Sequence, residues 1–329
     1  VEGKSRSTVK TGSNGRGYGQ RGKKVIQWRD SNSLNPMNDK KFETLDPENW
    51  QEMRDLAHQM VEDALDYIEH AGERPAWKVV PDDVRKRLQT PAPREPSDPG
   101  KVYDEFRRDI FAYPMNTTHP RFWAWYMGSG TVMGALADFL AATMNPNLGG
   151  GNHVAPLVEA QVIAWLREML GFPEDASGLL TSGASMANFT ALAVARNTNC
   201  GYDVRNEGVI SAPGPLTVYG STELHSCNQK AVETLGLGSK GMRYIPVQPD
   251  YTIDLKALEQ QVAQDREAGM GPYCVIATAG TINTGAIDDL NAIADFCARE
   301  KLWFHVDGAI GAVAILAHNV REQLAGISR

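Results

Sequence analysis

The spacing of hydrophobic residues changes near residue 172, and the two parts of the chain predict different structures. Between Met53 and Ile68, apolar residues recur at helical spacing, which predicts an amphipathic helix capped at Asp46 and ending by Gly72. After residue 172, short apolar runs alternate with stretches of helical spacing. This alternation is typical of βαβ units, so we expect a mostly parallel sheet with helices on both faces.

The individual elements follow from the same pattern. Short strands are predicted at 178–181, 216–219, 243–247, 274–278 and 302–306. Helices are predicted at 136–143, 156–170, 185–196, from about 228, at 254–266 and at 289–299, with a further short helix after Pro81.

The chain divides into three segments. Residues 1–29 hold eight Lys or Arg and one Glu, a net charge of +7, so the −7 of the whole chain leaves −14 for the rest. We expect residues 1–45 to form a basic, disordered leader, with a nucleic-acid-binding arm as the alternative. We interpret 46–115 as an N-terminal helical segment whose apolar faces belong to a subunit interface or pack on the same chain. Residues 116–329 form the predicted large domain.

Composition narrows the class of protein. A hydrophobic fraction of 42% and a charged fraction of 22% are ordinary for a soluble globular protein. No apolar run approaches the length of a membrane span, and the acidic body argues against nucleic acid as the main partner, so we expect neither a membrane nor a nucleic-acid partner. The four cysteines lack metal-ligand or disulfide spacing, which favours a cytoplasmic location.

The best candidate for a chemical role is Asp307. It follows the apolar run Trp303–Val306 and precedes Gly308 and Ala309, which is the pattern of a buried strand that ends in one carboxylate. Ligands of open α/β sheets bind at the carboxyl ends of the strands, so this acid is well placed to touch one. A turn or helix-capping Asp is the alternative.

Three upstream loops also carry candidate groups. Ser182–Asn188 opens a helix with small residues, which suits an anion site, although such a start is often only a packing feature. His225 follows a predicted strand, where it either lies on a ring or caps the next helix. Ala277–Gly285 follows another strand and contains hydroxyl groups and glycines.

The order of these features resembles the group II pyridoxal-phosphate decarboxylases, the family of aromatic amino acid, glutamate and histidine decarboxylases. The resemblance covers roughly residues 50–329 and rests on the segment 119–196, on Leu224-His225-Ser226 and on His305-Val306-Asp307-Gly308-Ala309. It implies a fold-type I large domain with a mostly parallel central sheet, preceded by the helical segment. It also implies pyridoxal 5'-phosphate as cofactor, a homodimer, and no metal.

The resemblance implies a role for each candidate residue. Asp307 would pair with the protonated pyridine nitrogen, and His225 would stack on the ring; both would be catalytic. The other cofactor-binding residues would be Gly183, Ala184, Ser185, Thr281 and Ala309, with the choice between Thr278 and Thr281 left open. The substrate pocket would include Trp125, Tyr126, Met127, Leu148 and Gly150, the last two on a loop that reaches the neighbouring subunit.

One family feature has no counterpart here. The family binds its cofactor through a Schiff-base lysine roughly thirty residues beyond the acid, whereas this chain stops at Arg329 and its last lysine is Lys301. We therefore expect that the C-terminal part is absent from this chain and that the lysine lies on a longer form of the protein or on a second polypeptide.

The expected function is decarboxylation of an L-amino acid to its amine and CO₂, with this chain supplying the part that cradles the cofactor. Trp123, Trp125 and Tyr126 favour an aromatic over an acidic substrate, although such residues are often core. The alternatives are an aldehyde synthase or lyase of the same fold, and a non-catalytic truncated subunit.

Overall fold

The computed structural model describes residues 44–149 and 151–329. The chain divides between Ala64 and Leu65 into two compact units, and the first is described only from residue 44. The leader predicted over 1–45 lies outside the described residues apart from its last two positions.

Helices occupy most of the regular structure. Their bounds are α1 Trp50–Glu69, α2 Asp82–Arg87, α3 Pro99–Phe106, α4 Val132–Met144, α5 Ala155–Leu170, α6 Ala184–Asn199, α7 Val204–Glu207, α8 Cys227–Thr234, α9 Leu255–Glu267 and α10 Leu290–Glu300. The expected cap of α1 at Asp46 is wrong, because Asn49 lies next to the helix and its Oδ1 accepts the backbone N–H of Gln51 at 3.0 Å. None of the helices in the described part combines the length and apolar character needed to cross a bilayer.

Four parallel strands form the sheet. They are β1 Leu216–Ser221, β2 Met242–Ile245, β3 Gly271–Thr278 and β4 Trp303–Asp307, in the spatial order β2-β1-β3-β4. In the β3–β4 pair, Thr278 lies opposite Asp307, so both strands end at the same level. The α/β class and the parallel sheet expected from the sequence are confirmed.

The core lies on both faces of this sheet. Along β3, Cys274 and Ile276 pack on one side with residues of α6 and α8, whereas Val275 and Ala277 pack on the other with residues of α9 and α10. Strands that are buried on both faces are apolar at nearly every position rather than at alternate ones. This is why their sequences appear as continuous apolar runs.

The strand predicted at 178–181 is wrong. These residues form no strand, and the side chains of Leu179 and Leu180 are 58% and 52% exposed. The Leu180 N–H donates to the Glu159 carboxylate instead of to a neighbouring strand. A strand needs a hydrogen-bonded neighbour, and none of the described strands lies beside this segment.

The helices α4 and α5 leave an unusual amount of apolar surface uncovered. Neither contains a buried residue. Six of their large apolar side chains are between 59% and 72% exposed: Met133, Phe139, Leu140, Met144, Leu157 and Trp165. Apolar patches of this kind mark interaction surfaces in soluble proteins.

Candidate active site

A cavity of about 350 Å³ lies at the carboxyl edge of the sheet. Its wall combines the residues that follow three neighbouring strands: His225 after β1, Thr278 at the end of β3, and Asp307 at the end of β4. Ala184, the first residue of α6, and Ala309 also border the cavity. The structure thus brings together residues that are far apart in the sequence, and the cavity is of the size of a small-molecule site.

The carboxylate of Asp307 accepts three hydrogen bonds. Its side chain is buried, and its Oδ2 accepts hydrogen bonds at 2.9 Å from the side-chain amides of both Asn188 and Asn228. Its Oδ1 accepts one longer bond, 3.3 Å, from the backbone N–H of Ala309. Two donors on a single oxygen fix the plane of the carboxylate.

His305 lies two residues before Asp307 on β4 and supports the same group. Its Nε2 is 2.7 Å from the Oδ1 of Asn188. Burial lowers the pKa of His305 to about 4, although the nearby Asp307 opposes that shift, so the imidazole is neutral near pH 7. Because the Asn188 amide nitrogen donates to Asp307, its oxygen must accept, and the His305 proton therefore lies on Nε2.

His225 lies in the turn after β1, and its exposed side chain borders both the cavity and an adjoining pocket. Its Nδ1 accepts the N–H of Cys227 at 3.3 Å, which orients the ring. Its backbone oxygen accepts a long bond, 3.4 Å, from the Asn228 amide that also binds Asp307. One amide therefore links the His225 turn to the acid.

The start of α6 faces the same region. Gly183 caps the helix at φ +152°, a value that residues with a side chain rarely adopt. Ala184 borders the cavity and Ser185 borders the adjoining pocket. The first N–H groups of a helix lack partners within it and carry partial positive charge, so this end suits an anion.

The structure distinguishes the two threonines that the sequence left open. Thr278 borders the cavity, and its buried hydroxyl has no hydrogen-bond partner among the described residues. Thr281 is also buried, but its hydroxyl lies 2.6 Å from that of Thr284 and accepts the N–H of Ala286, and it is not part of the cavity wall. The geometry therefore favours Thr278 over the Thr281 expected from the resemblance.

Only some of the residues expected in the substrate pocket border the cavity in the described structure. Tyr126 borders the cavity. Trp125, Met127 and Leu148 are exposed and do not border it in the described structure, and Trp125 adopts a left-handed backbone with φ +57°. Gly150 lies outside the described residues.

Sequence reasoning missed the hydrogen-bonded support of Asp307. Asn188 lies on the buried stripe of α6 with Leu192 and Ala195, and Asn228 on that of α8 with Ala231 and Val232. An amide at a core position of an amphipathic helix must find a partner. That spacing was visible in the sequence and could have identified both residues, although not their common partner.

Comparison with known proteins gives the family. Residues 81–329, most of the chain, match the pyridoxal-dependent decarboxylase conserved domain. The chain belongs to this family. The resemblance inferred from the sequence is thereby confirmed, and with it a pyridoxal cofactor and an enzymatic, carboxy-lyase character at the level of the family.

Individual members of the pyridoxal-dependent decarboxylase family are similar over most of this chain. An aromatic-L-amino-acid decarboxylase of Bacillus atrophaeus is 37% identical over 282 residues, which cover 85% of this chain and 57% of that protein. An acidic amino acid decarboxylase of Homo sapiens is 32% identical over 256 residues, 77% of this chain and 48% of that protein. The crystal structure of Oryza sativa TDC with PLP and tryptamine has a TM-score of 0.75 at 26% identity, and the match covers 87% of this chain and 63% of that one.

The chain spans about half the length of the curated relatives that it matches. Those relatives include decarboxylases named for aromatic and for acidic amino acids, so membership of the pyridoxal-dependent decarboxylase family leaves the substrate class open.

Proposed function

We propose that this chain forms the cofactor-cradling part of a pyridoxal-phosphate-dependent decarboxylase that converts an aromatic L-amino acid to its amine and CO₂. The observation that carries the proposal is the position of Asp307. Its carboxylate borders a cavity at the carboxyl edge of the sheet, together with the start of α6 and the imidazole of His225.

The residues present fit pyridoxal phosphate. The start of α6, Gly183 to Ser185, offers N–H groups for a phosphate. The buried Thr278 hydroxyl lacks a partner among the described residues, and a polar group of a ligand would satisfy it. Asp307 offers an oxygen, Oδ1, whose bond in the described structure is the long one from Ala309.

Each residue would contribute a distinct effect. Asp307 would hold a proton on the ring nitrogen through its negative charge, and His225 would pack against the ring face and exchange protons near the α-carbon. When bound, the protonated ring supplies the sink for the electron pair released as CO₂ leaves. Ala309 would hold the ring edge by backbone contact, and Tyr126 would border the substrate side chain.

The charge of the cavity supports an aromatic over an acidic substrate. Among the residues that border it in the described structure, the Asp, Glu, Lys and Arg residues are Glu223 and Asp307, both acidic. A second carboxylate on the substrate would find no cation there, whereas Tyr126, Ile282 and Ile310 offer apolar contact.

Product analysis with pyridoxal phosphate tests this function, using the longer protein or the assembly that carries the expected cofactor-binding lysine. We expect amine and CO₂ from L-tryptophan, L-tyrosine or L-phenylalanine at a rate at least about tenfold above that with L-glutamate, since one unpaired buried charge costs more than 1.4 kcal/mol. Aldehyde and ammonia as products would assign the protein to the aldehyde synthases instead. Cofactor binding without turnover of any amino acid would support a non-catalytic subunit.

We also propose a homodimer, with a second copy of the chain covering α4 and α5. The exposed apolar residues of these helices support it. Light scattering after gel filtration should give twice the mass of one chain, and Phe139→Lys should reduce it to one, whereas Glu267→Lys on the exposed surface of α9 should not. A single-chain mass for the unchanged protein would contradict the proposal.

Two further points stay predictions. The lysine that binds the cofactor is expected outside residues 1–329, and the intact mass of purified material, with any polypeptide that accompanies it, tests this.

A cytoplasmic location is supported by the four unpaired cysteines, all of which lie in the described residues.

A further inference from the structure

We propose that Asn188 and Asn228 act together as an amide clamp that aims Asp307 at the cofactor ring. The clamp is defined by the two side-chain amides that donate to the Oδ2 of Asp307. Both would be positioning residues, because they touch the acid and not the ring. This inference rests on the proposed function, since it assigns the clamp to the pairing between Asp307 and a ring nitrogen.

The first support is the asymmetry of the carboxylate. Oδ2 receives two amide N–H groups at 2.9 Å each, while Oδ1 receives one N–H at 3.3 Å. Oδ1, which has only this one longer bond, is therefore the oxygen with more capacity to accept a further donor. The clamp would thereby hold the carboxylate in one orientation toward the ring nitrogen.

The second support is that the direction of the clamp is fixed from behind. Asn188 cannot turn its amide around, because its oxygen is held 2.7 Å from the Nε2 of His305. A reversed amide would place its oxygen against the Asp307 carboxylate, where neither group has a proton to donate. The chain His305–Asn188–Asp307 thus has a single arrangement of protons.

The third support is the cost of keeping Asn228 in place. Its side chain is fully buried, and its Oδ1 has no partner among the described residues. Leaving a buried carbonyl unpaired is unfavourable. The residue nevertheless lies on the buried stripe of α8, where an apolar side chain would pack without that penalty. A polar residue retained at such a cost is explained by its bonds to Asp307 and to the His225 backbone.

A cofactor analogue without the ring nitrogen distinguishes a role of the two amides in positioning Asp307 from a purely structural role. We would measure the affinities of the purified protein and of Asn188→Leu and Asn228→Leu for pyridoxal phosphate and for its 1-deaza analogue, in which a C–H replaces the nitrogen. Leucine is close to asparagine in size and removes the donors. The clamp predicts that each variant binds pyridoxal phosphate about tenfold more weakly but binds the analogue as the unchanged protein does.

Two results would overturn the clamp: equal losses for both ligands, which indicate a purely structural role, or no loss for either. Circular dichroism and thermal unfolding confirm that each variant is folded, and the serine variant of the same position replaces any leucine variant that is not. Asp307→Ala, measured beside them, should abolish the difference between the two ligands.

A measurement without cofactor keeps this inference separate from the proposed function. Side-chain amide resonances of Asn188 and Asn228 are followed by NMR in the protein and in Asp307→Asn. Both resonances should move when the carboxylate is replaced, while that of the exposed Asn283 should not. Unmoved Asn188 and Asn228 signals would overturn the clamp. Failure of the unchanged protein to bind pyridoxal phosphate, with both signals moved, would reject the proposed function alone.

Discussion

Polar side chains near the cavity differ in whether they have hydrogen-bond partners within the fold. Thr281 has two partners in its own loop, whereas the Thr278 hydroxyl has none in the described structure. A buried hydroxyl without a partner destabilises the fold unless a ligand pairs with it. The two threonines therefore give opposite expectations for the same substitution.

Thr278→Val should leave the free energy of unfolding unchanged or slightly raised, because no hydrogen bond is lost, and it should weaken binding of pyridoxal phosphate. Thr281→Val should lower the free energy of unfolding by about 1–3 kcal/mol, since it removes the bond between the Thr281 and Thr284 hydroxyls and leaves the Ala286 N–H with only its longer bond to Thr284, and should change cofactor affinity less. Urea unfolding and cofactor titration measure both quantities. The reverse pattern would return the cofactor role to Thr281.

His305 makes the stability of the fold depend on pH. Burial lowers its pKa to about 4 in the folded protein, whereas an unfolded histidine titrates near 6.5. Its contribution is fully present above pH about 6.5 and is lost as the pH falls from about 6.5 to about 4, because only the unfolded chain takes up the proton easily. In the folded protein, His305 therefore stays neutral and keeps its contact with Asn188 down to a pH of about 4.

His305→Gln keeps an N–H donor near the Asn188 oxygen but removes the titration. The stability advantage of the unchanged protein over this variant should shrink as the pH is lowered from about 7 to about 4, as measured by urea unfolding at several pH values. The exposed His318→Gln is the matched control. A constant difference across this range would contradict a buried, neutral His305.

At the scale of elements, the loops that follow the strands are held by caps and close backbone contacts. Helix α10 begins after Asp289, whose carboxylate accepts the Ala292 N–H at 3.0 Å. This helix packs on β3 and β4, the strands that deliver Thr278 and Asp307. By stabilising α10, the Asp289 cap therefore also supports the two strands that end at the site.

Asp289→Ala should lower the free energy of unfolding by about 1 kcal/mol, because the first N–H groups of α10 lose their acceptor. Asp295→Ala, in the exposed middle of the same helix, removes a surface ion pair with Arg329 and should cost less. Thermal or urea unfolding compares the two variants. Equal effects would argue against the cap.

The turn after β4 approaches β3 too closely for any side chain. A Cβ at Gly311 would lie 2.4 Å from the Ala279 backbone oxygen, and the Gly311 N–H donates to the same oxygen at 2.9 Å. Gly311→Ala should therefore destabilise the protein by about 1–3 kcal/mol, measured by unfolding. Gly130→Ala, where a Cβ meets open space, is the control and should be close to neutral.

How much of this could be predicted depends on whether the feature is local. Strands β1 to β4 were predicted from their apolar runs, with ends within about three residues, because a strand buried on both faces, as β1 and β3 are, shows such a run. The segment 178–181 has the same local pattern but no neighbouring strand, and pairing is not a local property. Thr278 and Asp307, which end strands β3 and β4 and border the cavity, could be predicted because the ends of these apolar runs are visible in the sequence.

The amide clamp could not be predicted in this way. Asn188 and Asn228 lie 119 and 79 positions from Asp307, and their convergence depends on how α6 and α8 pack on the sheet. Periodicity shows that each amide faces the core but not what it meets there. The sequence around Thr278 and Thr281 likewise does not show which hydroxyl has a hydrogen-bond partner, because the fold decides which groups come within bonding distance.

At the scale of the whole molecule, stability is unevenly distributed. Strands β1 and β3 are buried almost throughout, whereas α4 and α5 bury no residue in the described structure. Regions with few buried contacts open at low free energy, while core strands open only on global unfolding. The sheet and these two helices should behave as separate units.

Hydrogen exchange followed by mass spectrometry should show this difference. Amides of β1 and β3 should exchange slowest, and those of α4 and α5 fastest among the longer helices of the second unit. Raising the protein concentration should slow exchange in α4 and α5 if a second copy covers them, and should leave β3 unchanged. Protection of α4 equal to that of β3 in dilute solution would contradict this distribution.

The order of the strands also sets when the cavity can exist during synthesis. The helix start near Ala184 and the turn at His225 leave the ribosome early, but the acid that completes the wall belongs to β4, the last of the four strands to be made and one at the sheet's edge. A nascent chain that has released β1 to β3 would still lack Asp307. The capacity to hold a positively charged ring would then arise abruptly, when a single late strand docks.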